Sequence, residues 1–133
     1  MDYSSRLEHE KTLKAAESFL WQSFTREKGA MQVLKETNGL QTVYRLRNDE
    51  LDEVLGEAVV SESASEVRLH GVFVRQEYRG HGYGGALVQA VLAEGEDRRV
   101  TLCTGLGNIG FFERFGFVVT EVGESLVSME RNP

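Results

Sequence analysis

The sequence predicts an α/β (α+β) fold: a mixed, mostly antiparallel sheet with one central parallel strand pair, flanked by helices. Three observations carry this expectation. Residues 30 to 74 hold short apolar runs with period-two alternation, separated by turn residues, and include an Asn38-Gly39 pair, a strong hairpin signal. From Gly82 the apolar period changes to that of a helix. An apolar run at 99–104 then follows this helix, so the strand–helix–strand unit from 67 to 104 implies a parallel pair inside an otherwise antiparallel sheet.

Taken in order, residues 5–24 read as a helix, because Leu13, Ala16, Leu20 and Phe24 recur at helical spacing with Phe19 beside them. Residues 30–36 and 40–47 form two strands around Asn38-Gly39. In the second, Leu40, Thr42, Tyr44 and Leu46 share one face and Gln41, Arg45 and Arg47 the other. Asn48-Asp49-Glu50 turns the chain into a third strand over 54–60, and the polar loop 61–65 leads to a fourth over 67–74. The next helix carries Tyr83, Leu87, Ala90 and Val91 in one stripe and ends near Gly95. Strand 99–104, a short helix over 108–115 and strands over 117–122 and 126–130 complete the order. No linker, repeat or low-complexity segment interrupts it.

A chain of 133 residues is expected to form one domain, and 41% hydrophobic with 27% charged residues is the composition of a soluble globular protein. No apolar run approaches the ~20 residues of a membrane helix, and Met1-Asp2-Tyr3-Ser4-Ser5 lacks the pattern of a signal peptide. The single cysteine, Cys103, excludes an intramolecular disulfide, and no Cys/His spacing suggests a metal. A cytoplasmic protein without membrane partners is the expectation. The net charge of −6, from 15 basic and 21 acidic residues, argues against a nucleic-acid surface and is compatible with a cationic amine as with simple solubility.

The most informative segment is Arg79-Gly80-His81-Gly82-Tyr83-Gly84-Gly85, between the apolar Val72-Phe73-Val74 and the helix-like 86–92 run. Glycines allow positive φ and close approach of backbone N–H groups to a ligand, and the helix dipole behind them favours phosphate. A phosphate-bearing cofactor follows. The same residues satisfy G-x-G-x-x-G at Gly80, Gly82 and Gly85. A dinucleotide fold, however, needs this turn after its first strand and an acid at the end of the next one. Here the turn lies past mid-chain, and Val100-Thr101-Leu102-Cys103-Thr104 ends without an acid.

The order V-x-V-x-x-x-Y-R-G-x-G-x-G-G-x-L resembles the acetyl-CoA loop of the GCN5-related N-acetyltransferases (the GNAT family), with Arg79, Gly82 and Gly84 at the signature positions. The stretch from Asn108 to Phe117 resembles the helix-to-strand segment that such enzymes carry near the C-terminus. Together the two motifs and the elements between them span roughly residues 66 to 130. The family often opens with a strand before its first helix. Only Met1 to Tyr3 remain for one here, so either that strand is lost or the 30–36 strand replaces it.

This resemblance implies acetyl-CoA in a cleft where the fourth and fifth strands splay apart. Val72, Phe73 and Val74 would pair their backbone with the pantetheine amides, much as an added strand does. Gly80, His81, Gly82, Tyr83, Gly84 and Gly85 would surround the pyrophosphate, with Arg79 holding the turn or adding charge. Asn108 would contact the cofactor or cap the helix. The implied reaction moves an acetyl group to the primary amine of a small molecule or peptide, without a metal, and leaves a homodimer open.

Two departures from the family pattern stand out. Glutamates that serve as bases in relatives are replaced by Arg68 on the fourth strand and by Thr101, Leu102 and Cys103 on the fifth. The remaining base candidate is His70, expected on one strand face with Arg68, Val72 and Val74. A histidine titrates near ~6.5, which suits the task, although a packed or hydrogen-bonded role is the competing account. His9 is expected at the surface. The usual tyrosine proton donor is replaced by Phe112 in Phe111-Phe112-Glu113-Arg114-Phe115-Gly116-Phe117. Water, Cys103 or Tyr44 must then protonate the departing thiolate, or the chain is a non-catalytic acyl-CoA-binding module. Cys103 as a nucleophile would need a nearby base, and a small core residue on a buried strand is the simpler reading.

Overall fold

A computed structural model describes residues 31–133. The expected helix over 5–24, His9 and the question of a strand at Met1 to Tyr3 lie outside the described residues. Seven strands form one sheet: β1 (Met31–Asn38), β2 (Gln41–Asn48), β3 (Glu53–Glu62), β4 (Glu66–Val74), β5 (Arg99–Gly105), β6 (Val118–Val122) and β7 (Leu126–Arg131). Their order is β1-β2-β3-β4-β5-β7-β6, and every neighbouring pair is antiparallel except β4 with β5. Helix α1 (Tyr83–Glu94) makes the crossover between that parallel pair, and the short α2 (Ile109–Glu113) follows β5. The mixed sheet and its flanking helices match the expectation.

The first hairpin shows how local chemistry sets register. Asn38 pairs with Gln41, which leaves Gly39 and Leu40 as the loop, and Gly39 takes φ +66°. Glycine supplies that positive φ at the first loop position without a Cβ clash. Leu40, expected to share a strand face with Thr42, Tyr44 and Leu46, instead lies exposed in the turn. The opposite face of β2 buries charge. Arg45 and Arg47 are buried, Arg45 with 1% of its surface exposed, because acids meet them: Glu36 accepts from Arg45 at 2.8 Å, and Asp49 and Asp52 flank Arg47. A buried guanidinium is tolerated only when so paired.

α1 packs its buried face of Ala86, Leu87, Val88, Ala90 and Val91 on the sheet. Leu87 and Val88 lose all exposed surface there, and each such side chain contributes on the order of 1.5–3 kcal/mol by leaving water. Phe112, Phe117, Val127 and Met129 extend the same core beneath β7. Rigid attachment of α1 fixes where its N-terminal glycines point, and that placement prepares the site.

Candidate functional site

β4 and β5 stay paired only from Glu66 with Arg99 to Leu69 with Leu102. Beyond that point β4 keeps β3 as its neighbour up to Val74, and β5 keeps β7 up to Gly105. Each strand thus shows an unpaired edge to the gap. Unpaired backbone groups are obligatory hydrogen-bonding partners for whatever enters. The gap opens into a cleft of about 480 Å³ lined by Leu69, His70, Gly71, Val72, Phe73, Val74, Arg79 and Gly84 on one side. Leu102, Cys103, Thr104, Asn108, Phe111 and Phe112 line the other.

A β-bulge decides which side chains face which way. Val59 pairs with Gly71 but Val60 pairs with Leu69, so His70 is an extra residue in β4. Cross-strand pairs point to the same side of a sheet. Leu69 and Val72 therefore both face the α1 side, opposite the buried Val60 and Ala58. The predicted common face of Arg68, His70, Val72 and Val74 is overturned: Val72 and Val74 lie on the α1 side near Gly84, while His70 faces the other way. There His70 is exposed, and its Nε2 shares a 2.6 Å hydrogen bond with Ser61 Oγ of β3. Bulges re-aim side chains in just this manner, because one inserted residue shifts the period of two.

The glycine turn is shaped by its dihedrals. Gly80 and Gly82 take φ +83° and +82°, and Gly82 caps α1 without any side-chain hydrogen bond. The first helical bond runs from Ala86 N–H to the Gly82 carbonyl at 3.1 Å. By helix geometry the N–H groups of Gly84 and Gly85 then have no partner within the helix. At Gly84 the bare Cα borders the cleft; an added Cβ would stand 3.7 Å from Phe111 and from Val74. Arg79 Nε donates to the Val74 carbonyl at 3.1 Å, which ties the turn to the end of β4. His81 Nδ1 lies 3.1 and 3.0 Å from the carbonyls of Tyr78 and Arg79, and its ring stacks on Tyr83 at 5.6 Å.

A second clamp holds the segment before the turn. The Tyr78 hydroxyl donates to Glu53, which raises the tyrosine pKa above its ordinary value, and Arg75 bonds both Glu53 and Glu77 at 3.1 Å. Glu53→Gln is expected to weaken acetyl-CoA binding by several-fold, with little change in melting temperature, because it loosens only the support of the loop. Isothermal titration with acetyl-CoA against the variant measures this.

Of the residues expected to hold the cofactor, Val72, Phe73, Val74, Arg79, Gly84 and Asn108 line the cleft, as does His70. Gly80, His81, Gly82, Tyr83 and Gly85 form the adjoining turn and helix start without lining it. Asn108 occupies the N-cap position of α2 but makes no side-chain capping bond there, and it donates instead to Thr104 Oγ1 at 3.1 Å. Cys103 is exposed in the cleft rather than buried in a core strand. Tyr44 is remote from the cleft. Its hydroxyl bonds Glu94 at the far end of α1, ten residues and about 15 Å of helix from Gly84.

Phe111 and Gly71 are cleft residues that the sequence alone did not single out; a phenylalanine beside another reads as plain core. Phe112, 7% exposed, packs edge-on against Phe111 and Phe117 at 4.9 and 5.7 Å. Where β4 and β5 are still paired, Arg68 donates to Thr101, and Thr101 to Glu66. A hydrogen bond from Arg99 at 2.6 Å holds the Glu66 carboxyl below the usual carboxylate range. No group of acids, histidines and cysteine able to hold a metal occurs among the described residues. None of the described helices is long and apolar enough to cross a membrane.

The sheet is mixed and splits at its parallel pair, with the glycine turn beside the cleft that this opens. The acetyltransferase (GNAT) family model matches residues 7–117, and the chain belongs to that family. Solved structures agree in fold. A GNAT family acetyltransferase from Elizabethkingia anophelis with acetyl-CoA bound has a TM-score of 0.68 at 12% identity, over 79% of this chain and 99% of that one. Escherichia coli ElaA reaches 0.60 at 20% identity, over 86% and 85% of the two chains. Arabidopsis thaliana Naa50 in complex with the bisubstrate analogue CoA-Ac-MVNAL reaches 0.59 at 20% identity, over 68% and 72%. No curated protein matches the sequence significantly.

Proposed function

We propose that this chain is a single-domain, cytoplasmic N-acetyltransferase that moves the acetyl group of acetyl-CoA to a primary amine of a small molecule or peptide. The observation that carries the reading is the unpaired edge of Val72 to Val74 opening onto Gly84 and the N-terminus of α1. In this reading the pantetheine arm adds to that edge as a short strand, while the turn from Gly80 to Gly85 receives the pyrophosphate. Arg79 keeps turn and strand end in register through its bond to Val74. A structure of similar fold was solved with acetyl-CoA bound, which supports the choice of acetyl-CoA as the donor.

Transfer then proceeds by direct attack in a ternary complex. The neutral amine nitrogen forms a bond to the thioester carbonyl carbon, whose oxygen accepts from the backbone N–H of Val74, which alternation on β4 turns away from β3. His70, exposed at the bulge, removes the proton from the ammonium either directly or through a water. Collapse of the adduct breaks the carbon–sulfur bond, and solvent protonates the departing thiolate. Cys103 borders the cleft and is the remaining side-chain donor; Tyr44 is too distant. Thiol release from acetyl-CoA across a panel of primary amines tests the assignment, and binding without release would overturn it.

One feature favours a second reading, a binding module that does not turn over: Phe112 offers no hydroxyl at the position where the family resemblance implies a tyrosine donor. Phe112→Tyr separates the two. Its ring already borders the cleft, so the added hydroxyl is expected to keep or raise the rate several-fold, read as thiol release. A large loss of rate in a stably folded variant would show that Phe112 serves to shape the site.

A further inference from the structure

The face of the sheet turned away from α1 carries an unusual arrangement at the cleft. Phe73 is 64% exposed although it sits mid-sheet, beside the gap and on the His70 side. Its ring lies over the backbone of Gly71: a Cβ built there would stand 2.7 and 2.8 Å from two ring carbons. Only glycine at 71 leaves room for the ring in this position. Its cross-strand partner Glu57 is only 13% exposed at its side chain and turns toward the Arg45 guanidinium, 3.9 Å away. Val59, the partner of Gly71, adds a further apolar surface on the same side.

An exposed aromatic ring held by a dedicated glycine, continuous with a cleft, is a preformed apolar surface. Val72 and Val74 face the α1 side, where the cofactor is assigned, so the ring of Phe73 is left to the opposite side. His70 and Cys103 border the cleft on that side as well. We propose that Phe73, seated on Gly71, is the shelf that selects the acceptor, and that it takes a primary amine bearing an aryl or branched alkyl group close to its nitrogen. This inference rests on the acetyl-transfer reading above. A cationic tail is disfavoured, because Glu57 already faces a cation and no acid lines the cleft among the described residues.

The test titrates the coenzyme A-loaded chain with phenethylamine, isoamylamine, ethanolamine and putrescine, and measures thiol release from acetyl-CoA with the same amines. Phenethylamine and isoamylamine are expected to bind, and to react in kcat/KM, about 10-fold or more better than ethanolamine. Phe73→Ala and Gly71→Ala should each erase most of that preference, the second by pushing the ring off its seat. Phe73→Leu keeps an apolar surface and should retain the isoamylamine preference while losing part of that for phenethylamine; it also serves if the alanine variant folds poorly. An unchanged preference in Phe73→Ala, a wild-type preference for ethanolamine or putrescine, or no amine binding would overturn the shelf. Apolar preference in binding without thiol release would uphold the shelf and defeat the transfer reading. Thiol release without apolar preference would do the reverse.

Discussion

Gly84→Val is expected to lower acetyl-CoA affinity by about 100-fold or more, close to 3 kcal/mol, while the chain stays folded. A single methyl at this position meets only ordinary contacts, with Phe111 and Val74 at 3.7 Å and Val72 at 3.9 Å. The added branches of valine have nowhere to go but the cleft between β4 and α2. Fold is spared because Gly84 sits in the first turn of α1, ahead of the buried run that anchors the helix. Gly82→Val acts by a different route. At φ +82° a β-branched residue is strained by about 1–3 kcal/mol, so the turn must rearrange and its N–H groups lose their common direction. Calorimetric titration with acetyl-CoA, alongside thermal melts, reads both effects. Unchanged affinity in a folded Gly84→Val variant would remove the cofactor from this turn.

His70→Ala is expected to reduce turnover by about 10²-fold or more, the usual share of general-base catalysis, with little change in acetyl-CoA affinity. The bulge supplies the reason for that split: it turns His70 to the face opposite Val72 and Val74, away from the proposed cofactor side. If the imidazole accepts the ammonium proton, the rate of the intact protein rises with pH and then levels. His70→Gln keeps a hydrogen-bonding partner for Ser61 but cannot take a proton, so its profile should lose that rise. Ser61→Ala should cost less, because it removes only the group that orients the ring at 2.6 Å. An unaltered pH–rate profile in His70→Gln would leave water as the base and His70 as a surface hydrogen-bonding residue.

The order of strands and helices was legible because local period reports local burial. Leu87, Ala90 and Val91 recur at helical spacing and are buried on one side of α1, and the hairpin signal at Asn38-Gly39 lies within one residue of the real turn. The glycine turn was legible for a different reason: it encodes backbone conformation, and Gly80 and Gly82 do take positive φ. The parallel pair was suggested by connectivity, since parallel neighbours need a crossover connection and a helix is the usual one.

Which faces the candidate residues occupy was decided by tertiary structure alone. Strict alternation put His70 with Val72 and Val74, but the bulge opposite Val59 and Val60 moved it across the sheet. Nothing local to residues 66–74 announces that insertion; it exists only relative to β3. In the same way, the burial of Arg45 depends on Glu36 and Glu57 from neighbouring strands, and the exposure of Cys103 on the end of pairing after Leu102. By itself the sequence determined the described elements, their order and the glycine turn, because these follow from each residue's immediate neighbours. The split of the sheet, the aim of His70 and the seat of Phe73 on Gly71 arise where segments distant in the chain meet, and only the packed fold brings those segments together.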